Sequence, residues 1–190
     1  MGSTGLARRK FDAGHMSEVR EAVALAEELT SEYFKYSTSQ WRRSRYDIQT
    51  ADRLQEDELT DDAFAQIIHY IGHPPSSQLK SSYFDFYKIC LQDHVILDAL
   101  DRDRSLSLYP LVLYVVTHEL IHIVRFSRFL QSFEAYPLDR EQEEARVHQI
   151  TRRILSARSL PGVELVAREY WEAVEAGGLS LDRVGQGGKA

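Results

Sequence analysis

The segment His118-Glu119-Leu120-Ile121-His122 concentrates more chemistry than any other stretch of this sequence. On a helix, residues four apart lie on one face, one above the other. His118 and His122 can then offer their imidazoles to a common point. Neutral imidazole is a good zinc ligand, and two of them fill half of a tetrahedral shell. Glu119 points beside such a metal rather than at it. There it can take a proton from a water that the cation has acidified. Zn2+ is the cofactor that this pattern predicts. The competing reading is a core helix with two satisfied histidines. It requires two imidazoles and a carboxylate to be buried among Val115, Val116, Ile123 and Val124, which is costly without a partner for them.

Zinc needs at least a third protein ligand. Glu141, Glu143 and Glu144 lie on the next predicted helix, with His148 one turn beyond Glu144. Helical geometry sets Glu144 and His148 on one face, with Glu141 roughly alongside and Glu143 pointing elsewhere. All three glutamates are near enough to compete.

The stretch resembles the extended zincin motif, whose flanking and intervening positions are uncharged and free of proline. The pairing of HExxH on one helix with a glutamate on the next resembles gluzincin-type metallopeptidases. Glu144-Ala145 followed by helix is also similar to the cytosolic ImmA/IrrE-like family. The likeness spans residues 113–155. It implies His118, His122 and Glu144 as metal ligands, and His148 as a fourth ligand or a group orienting one. It also implies a cytoplasmic metallopeptidase with Glu119 as general base and a peptide or protein as substrate or partner. Two positions depart from the families. Ile121 stands where glycine is usual, and Gln142 stands where the ligand glutamate usually precedes the alanine. A fourth ligand would close the shell, which suits a non-catalytic regulatory or interaction protein. Glu119-x-x-His122 also matches half of a helical di-iron site, but the second Glu-x-x-His is missing.

These residues need a mainly α domain, with the HExxH helix packed on an antiparallel ligand helix. The apolar spacing predicts helices over about 17–37, with Ser17 as N-cap, and from Thr60 or Asp61 to Ile71. It predicts others over about 109–130, 139–158 and 163–176. Residues 38–57 read as loop or broken helix anchored by Trp41 and Tyr46. Residues 82–100 are apolar on all sides and read as a buried helix. The alternative is a pair of strands, a small β element at 82–97 of the kind that usually flanks an HExxH helix. Gly14-His15-Met16 reads as a cloning junction, so residues 1–15 are expected to be an expression leader, 16–178 a single domain and 179–190 a disordered tail.

Weaker candidates surround the motif. His69 and His73 read as caps at a helix C-terminus. His94 reads as a satisfied core or surface histidine. Tyr136 and Arg146 are near the motif in sequence and could stabilise developing negative charge. The net charge of −6 excludes a general match to a phosphate backbone, so no nucleic-acid partner is expected. The arginines at 42, 43 and 45 and at 152 and 153 read as solvated helix faces. A single cysteine, Cys90, cannot form an internal disulfide and points to a reducing compartment. The longest uncharged run, 106–117, is too short to span a bilayer, so no membrane association is expected. Substrate identity and oligomeric state are not encoded in these patterns.

Overall fold

A computed structural model describes residues 8–72, 84–128, 137–175 and 184–186. The protein is mainly α-helical with a small mixed sheet. In chain order the elements are α1 (Ala13–Phe34), α2 (Thr38–Arg43), β1 (Arg45–Gln49), β2 (Ala65–Gly72) and β3 (Phe84–Leu91). They continue as α3 (Asp93–Arg102), α4 (Leu108–Ser127), α5 (Pro137–Ser156), α6 (Val163–Glu175) and β4 (Val184–Gln186). The sheet order is β1-β3-β2-β4, with β3 parallel to β1 and antiparallel to β2, and β4 parallel to β2.

The centre of the fold is α4, which carries the HExxH segment. Every residue from Leu111 to Phe126 is buried. By length and composition α4 is apolar enough to cross a membrane, but 94% of its apolar window lies inside the fold. A helix apolar on all sides is a core helix when other elements surround it. Here α1 packs along one side, α5 and α6 along another, and the sheet is reached through Tyr87, stacked on Phe126 at 5.8 Å. In α1 the inward stripe is Val19, Ala22, Ala26 and Leu29, and its two fully buried alanines let the helix backbones approach closely. Gly162 enters α6 with φ +81°, and a Cβ there would meet Pro110 Cγ at 3.0 Å. Only glycine suits that turn.

Several expectations are corrected. The helix expected from residue 60 to 71 is strand β2. Ile67 and Ile68 are both buried, so the strand is covered on both faces and shows no alternation. Residues 82–100 are not one helix. β3 ends at Leu91, and α3 starts at Asp93. Gln92 makes the corner, accepting from Thr60 N–H and donating to the Glu58 and Cys90 carbonyls at 3.1, 3.0 and 3.2 Å. The small β element expected at 82–97 is present as β3, one strand rather than a pair, with α3 following it. The N-cap of α1 is Asp12, not Ser17, accepting from His15 N–H at 2.9 Å. Residues 8–15, set aside as leader, join the fold: Arg9 pairs with Asp98 and Asp101, and Phe11 N–H donates to Asp93. Within the expected loop 38–57 lie α2 and β1. Trp41 does anchor it, donating to Ser31 at 2.8 Å, as does Tyr46, donating to Glu27 at 2.6 Å. In the tail expected to be disordered, Val184–Gln186 form β4.

Candidate metal centre

α4 and α5 run antiparallel, and the polar contacts between them form a ladder. Tyr114 meets His148, His118 and His122 meet Glu144, and Arg125 meets Glu143. Positions 114, 118, 122 and 125 of α4 share one face by their three- and four-residue spacing. On α5, 144 and 148 repeat one turn apart.

The middle rungs form a triangle. His118 Nε2 and His122 Nε2 are 3.1 Å apart. Glu144 Oε2 is 3.2 Å from His118 Nε2, and Glu144 Oε1 is 3.2 Å from His122 Nε2. The two imidazole side chains are 1% and 0% exposed, whereas that of Glu144 is 32% exposed, so solvent reaches the group from the α5 side. Burial raises the Glu144 carboxyl, but His122 and then His118 outweigh it and hold the group well below the usual carboxylate range.

Protons alone serve this triangle poorly. Two Nε2 atoms carry at most two hydrogens in the neutral rings. If both donate to Glu144, two N–H groups face each other across 3.1 Å. If either is bare, one edge joins two acceptors. A cation among the two Nε2 atoms and the Glu144 carboxylate, whose Oε2 faces His118 and whose Oε1 faces His122, accepts a lone pair from each side chain. Zinc with ligands about 2.0–2.1 Å away in tetrahedral array has ligand–ligand edges of roughly 3.3 Å. The His118–His122 separation of 3.1 Å, with a carboxylate oxygen 3.2 Å from each imidazole, is close to that, so these residues fit the ion. Among the described residues this is the one group of three or more His, Cys, Asp or Glu side chains close enough to share a metal.

His148 stands outside the triangle. Its Nδ1 is 2.7 Å from the Tyr114 hydroxyl, and its ring centre is 6.5 Å from that of His118. Burial, then the neighbouring His118 and Arg152, lower the imidazole to about 4, opposed by the Glu144 carboxylate and then by a bond to the Ala167 backbone. It is therefore neutral at neutral pH and ties α5 to both α4 and α6. Of the expected ligand set, His118, His122 and Glu144 come together, and His148 lies one rung away beside Tyr114. Glu119 is fully buried on the same turn as His118. It lies close enough to β3 for its charge to be felt by Cys90, whose thiol is pushed up to about 12, first by burial and then chiefly by Glu58. Such a thiol is no nucleophile at neutral pH.

Of the competing glutamates, Glu141 is exposed and Glu143 is buried in a bidentate ion pair with Arg125. Arg146, which reads first as a surface arginine and only secondly as a charge stabiliser, is exposed and makes a longer contact to Glu143 at 3.5 Å. Tyr136 and His73 lie outside the described residues. His69 is on a strand, not at a helix end, and meets Asp85 at 2.7 Å. His94 meets Asp61 at 2.7 Å. Sequence reasoning missed Tyr114 and Arg125 as parts of this seam. The signal for both was visible: a tyrosine and an arginine in register with the histidines on a helix that is otherwise apolar.

No family model, curated protein or solved structure matches this chain. Its chemistry is therefore read from the site alone.

Proposed function

We propose that the protein is a zinc-dependent hydrolase, in its simplest form a cytoplasmic peptidase, with His118, His122 and Glu144 as the metal ligands. The observation that carries the reading is the triangle of two Nε2 atoms and one carboxylate with edges of 3.1 and 3.2 Å. Three protein ligands leave a tetrahedral ion one open position, as hydrolysis requires, and His148 is occupied with Tyr114. A zinc ion there supplies Lewis acidity toward water and a carbonyl oxygen. Glu119, on the helix between the two histidines, receives the proton of the attacking water and returns it to the leaving amine. Glu144, whose side chain is 32% exposed, is the ligand through which solvent reaches the site. The single thiol, buried and unreactive, agrees with a reducing compartment.

The test pairs elemental analysis with the Glu119→Gln variant. About one zinc per chain is expected in both proteins, with hydrolysis of a mixed peptide library confined to the parent. Zinc in both with turnover in neither would favour a non-catalytic metal-binding protein. Equal turnover in both would remove Glu119 from the mechanism. Two irons per chain would point to a di-iron protein instead. No zinc in the parent would end the metal reading.

A further inference from the structure

We propose that the cleft between the end of α5 and the start of α6 is a second site, binding a small phosphate-bearing anion. It has a volume of about 1070 Å³ and is walled by Arg152, Arg153 and Arg168, with Ser159, Gly162 and Glu164 at the turn. That volume suits a ligand up to the size of a nucleotide. Three of its lining side chains are arginines and one, Glu164, is acidic, in a chain whose net charge is −6. Arg152 and Arg153 pair with no carboxylate among the described residues. Arg168 is shared only with its exposed neighbour Glu169.

Cations gathered in a concavity focus potential there and raise the local concentration of anions. Guanidinium forks match phosphate oxygens in pairs. The turn adds backbone donors. Val163 N–H donates to the Leu160 carbonyl at 3.3 Å and Val166 N–H to the Gly162 carbonyl at 3.1 Å, which leaves the Glu164 and Leu165 amides as the first-turn donors. Glu164 also lines the cleft and repels an anion, so a phosphate lies toward Arg152 and Arg153. The cleft backs onto the His148–Tyr114 rung, for Arg152 is near enough to act on both groups electrostatically. The proposal rests on the arginines and the cleft, not on a metal at the triangle.

Titration calorimetry with inorganic pyrophosphate, and separately with ADP, at 0.15 M salt tests it. Binding is expected below 1 mM, a threshold of about −4 kcal/mol. The Arg152→Gln/Arg153→Gln double variant is expected to weaken it at least tenfold. These side chains are exposed, so the fold should persist, which circular dichroism checks. His118→Ala is expected to bind both probes as the parent does. ADP binding more tightly than pyrophosphate would mark the ligand as a nucleotide, and equal binding would mark the phosphates alone. Three results overturn the proposal: no heat at 5 mM of either probe, unchanged binding in the arginine variant, or binding lost in His118→Ala yet kept in the arginine variant. The last places the anion at the metal triangle.

Discussion

α4 has two contrasting neighbours. Toward α1 it meets Val19, Ala22, Ala26 and Leu29, a stripe that is wholly apolar. Toward α5 it presents Tyr114, His118, His122 and Arg125, all buried, to Glu143, Glu144 and His148. Removing apolar surface from water stabilises a fold wherever it happens, by roughly 25 cal/mol per Å². Burying polar groups helps only when each finds its partner. The α1 seam therefore tolerates approximate fit. The α5 seam demands specific pairs, and it is the one that can do chemistry.

The largest effect is expected where a charge would be stranded. Arg125→Met leaves Glu143 buried opposite a thioether, with only the distant Arg146 in support. Breaking such a pair costs about 3–5 kcal/mol. Because Glu143 and Glu144 share one turn, zinc affinity should fall in the same variant. Urea denaturation with a zinc competition assay measures both, and a stability loss under 1 kcal/mol would mean that the pair does not organise the seam.

Leu29→Ala on the α1 side is the counterpart. Truncation of a buried leucine costs about 2–4 kcal/mol through lost burial and the cavity left behind. Zinc affinity of the folded protein should stay within about twofold. If it falls as far as in Arg125→Met, the two faces of α4 are not independent.

Tyr114→Phe removes one hydroxyl and keeps the ring. His148 then loses its 2.7 Å partner inside the protein, at an expected cost of about 1–2 kcal/mol. Should the His148 imidazole then turn to the metal, zinc binding would tighten while turnover dropped. A cobalt-substituted spectrum reports the added nitrogen ligand.

How much of this contrast could be read in advance differs between the two halves of the chain. The helix bearing His118 and His122 was legible because its period and its chemistry coincide. Glu144 was only half legible: helical register left Glu141 beside it in competition, and the family resemblance alone singled it out. β2 was not legible. Phe64, Ile67, Ile68 and Ile71 fit a helical spacing, and burial on both faces hides the alternation that marks a strand. The boundary at Gln92 was hidden too, because the residue ends a strand through bonds to Thr60 and Glu58, which are remote in sequence. Arg125 was overlooked although a lone arginine among buried apolar residues calls for a nearby carboxylate.

Away from α4, Glu58 offers a control by pH. Burial raises its carboxyl, but hydrogen bonds from Lys88, the Gln55 amide and Tyr70 lower it overall. A depressed carboxyl stabilises the fold fully above its unfolded value of about 4.3, and that contribution is lost as pH falls through the lower folded value. A loss on the order of 1 kcal/mol is expected across that fall. Glu58→Gln should flatten it, as thermal denaturation between pH 6 and pH 3 would show. An unchanged acid limb would assign the loss to other carboxylates.

The smallest change in stability is expected where the chemistry is densest. Without metal, two Nε2 atoms and two carboxylate oxygens share at most two hydrogens, which leaves one contact poorly served, so the fold gains little from the triangle. In metal-free protein, His118→Leu should alter stability by no more than about 1 kcal/mol, because an apolar side chain replaces a poorly satisfied imidazole. In the parent, a zinc concentration one hundred times the dissociation constant should add about 2.7 kcal/mol, and in the variant almost nothing. Denaturation with chelator and with zinc gives all four values. A loss of 3 kcal/mol or more in the metal-free variant would show that His118, His122 and Glu144 form a stabilising hydrogen-bond network in their own right. The triangle would then belong with the Arg125 pair as architecture, and the contrast between the two faces of α4 would concern stability alone.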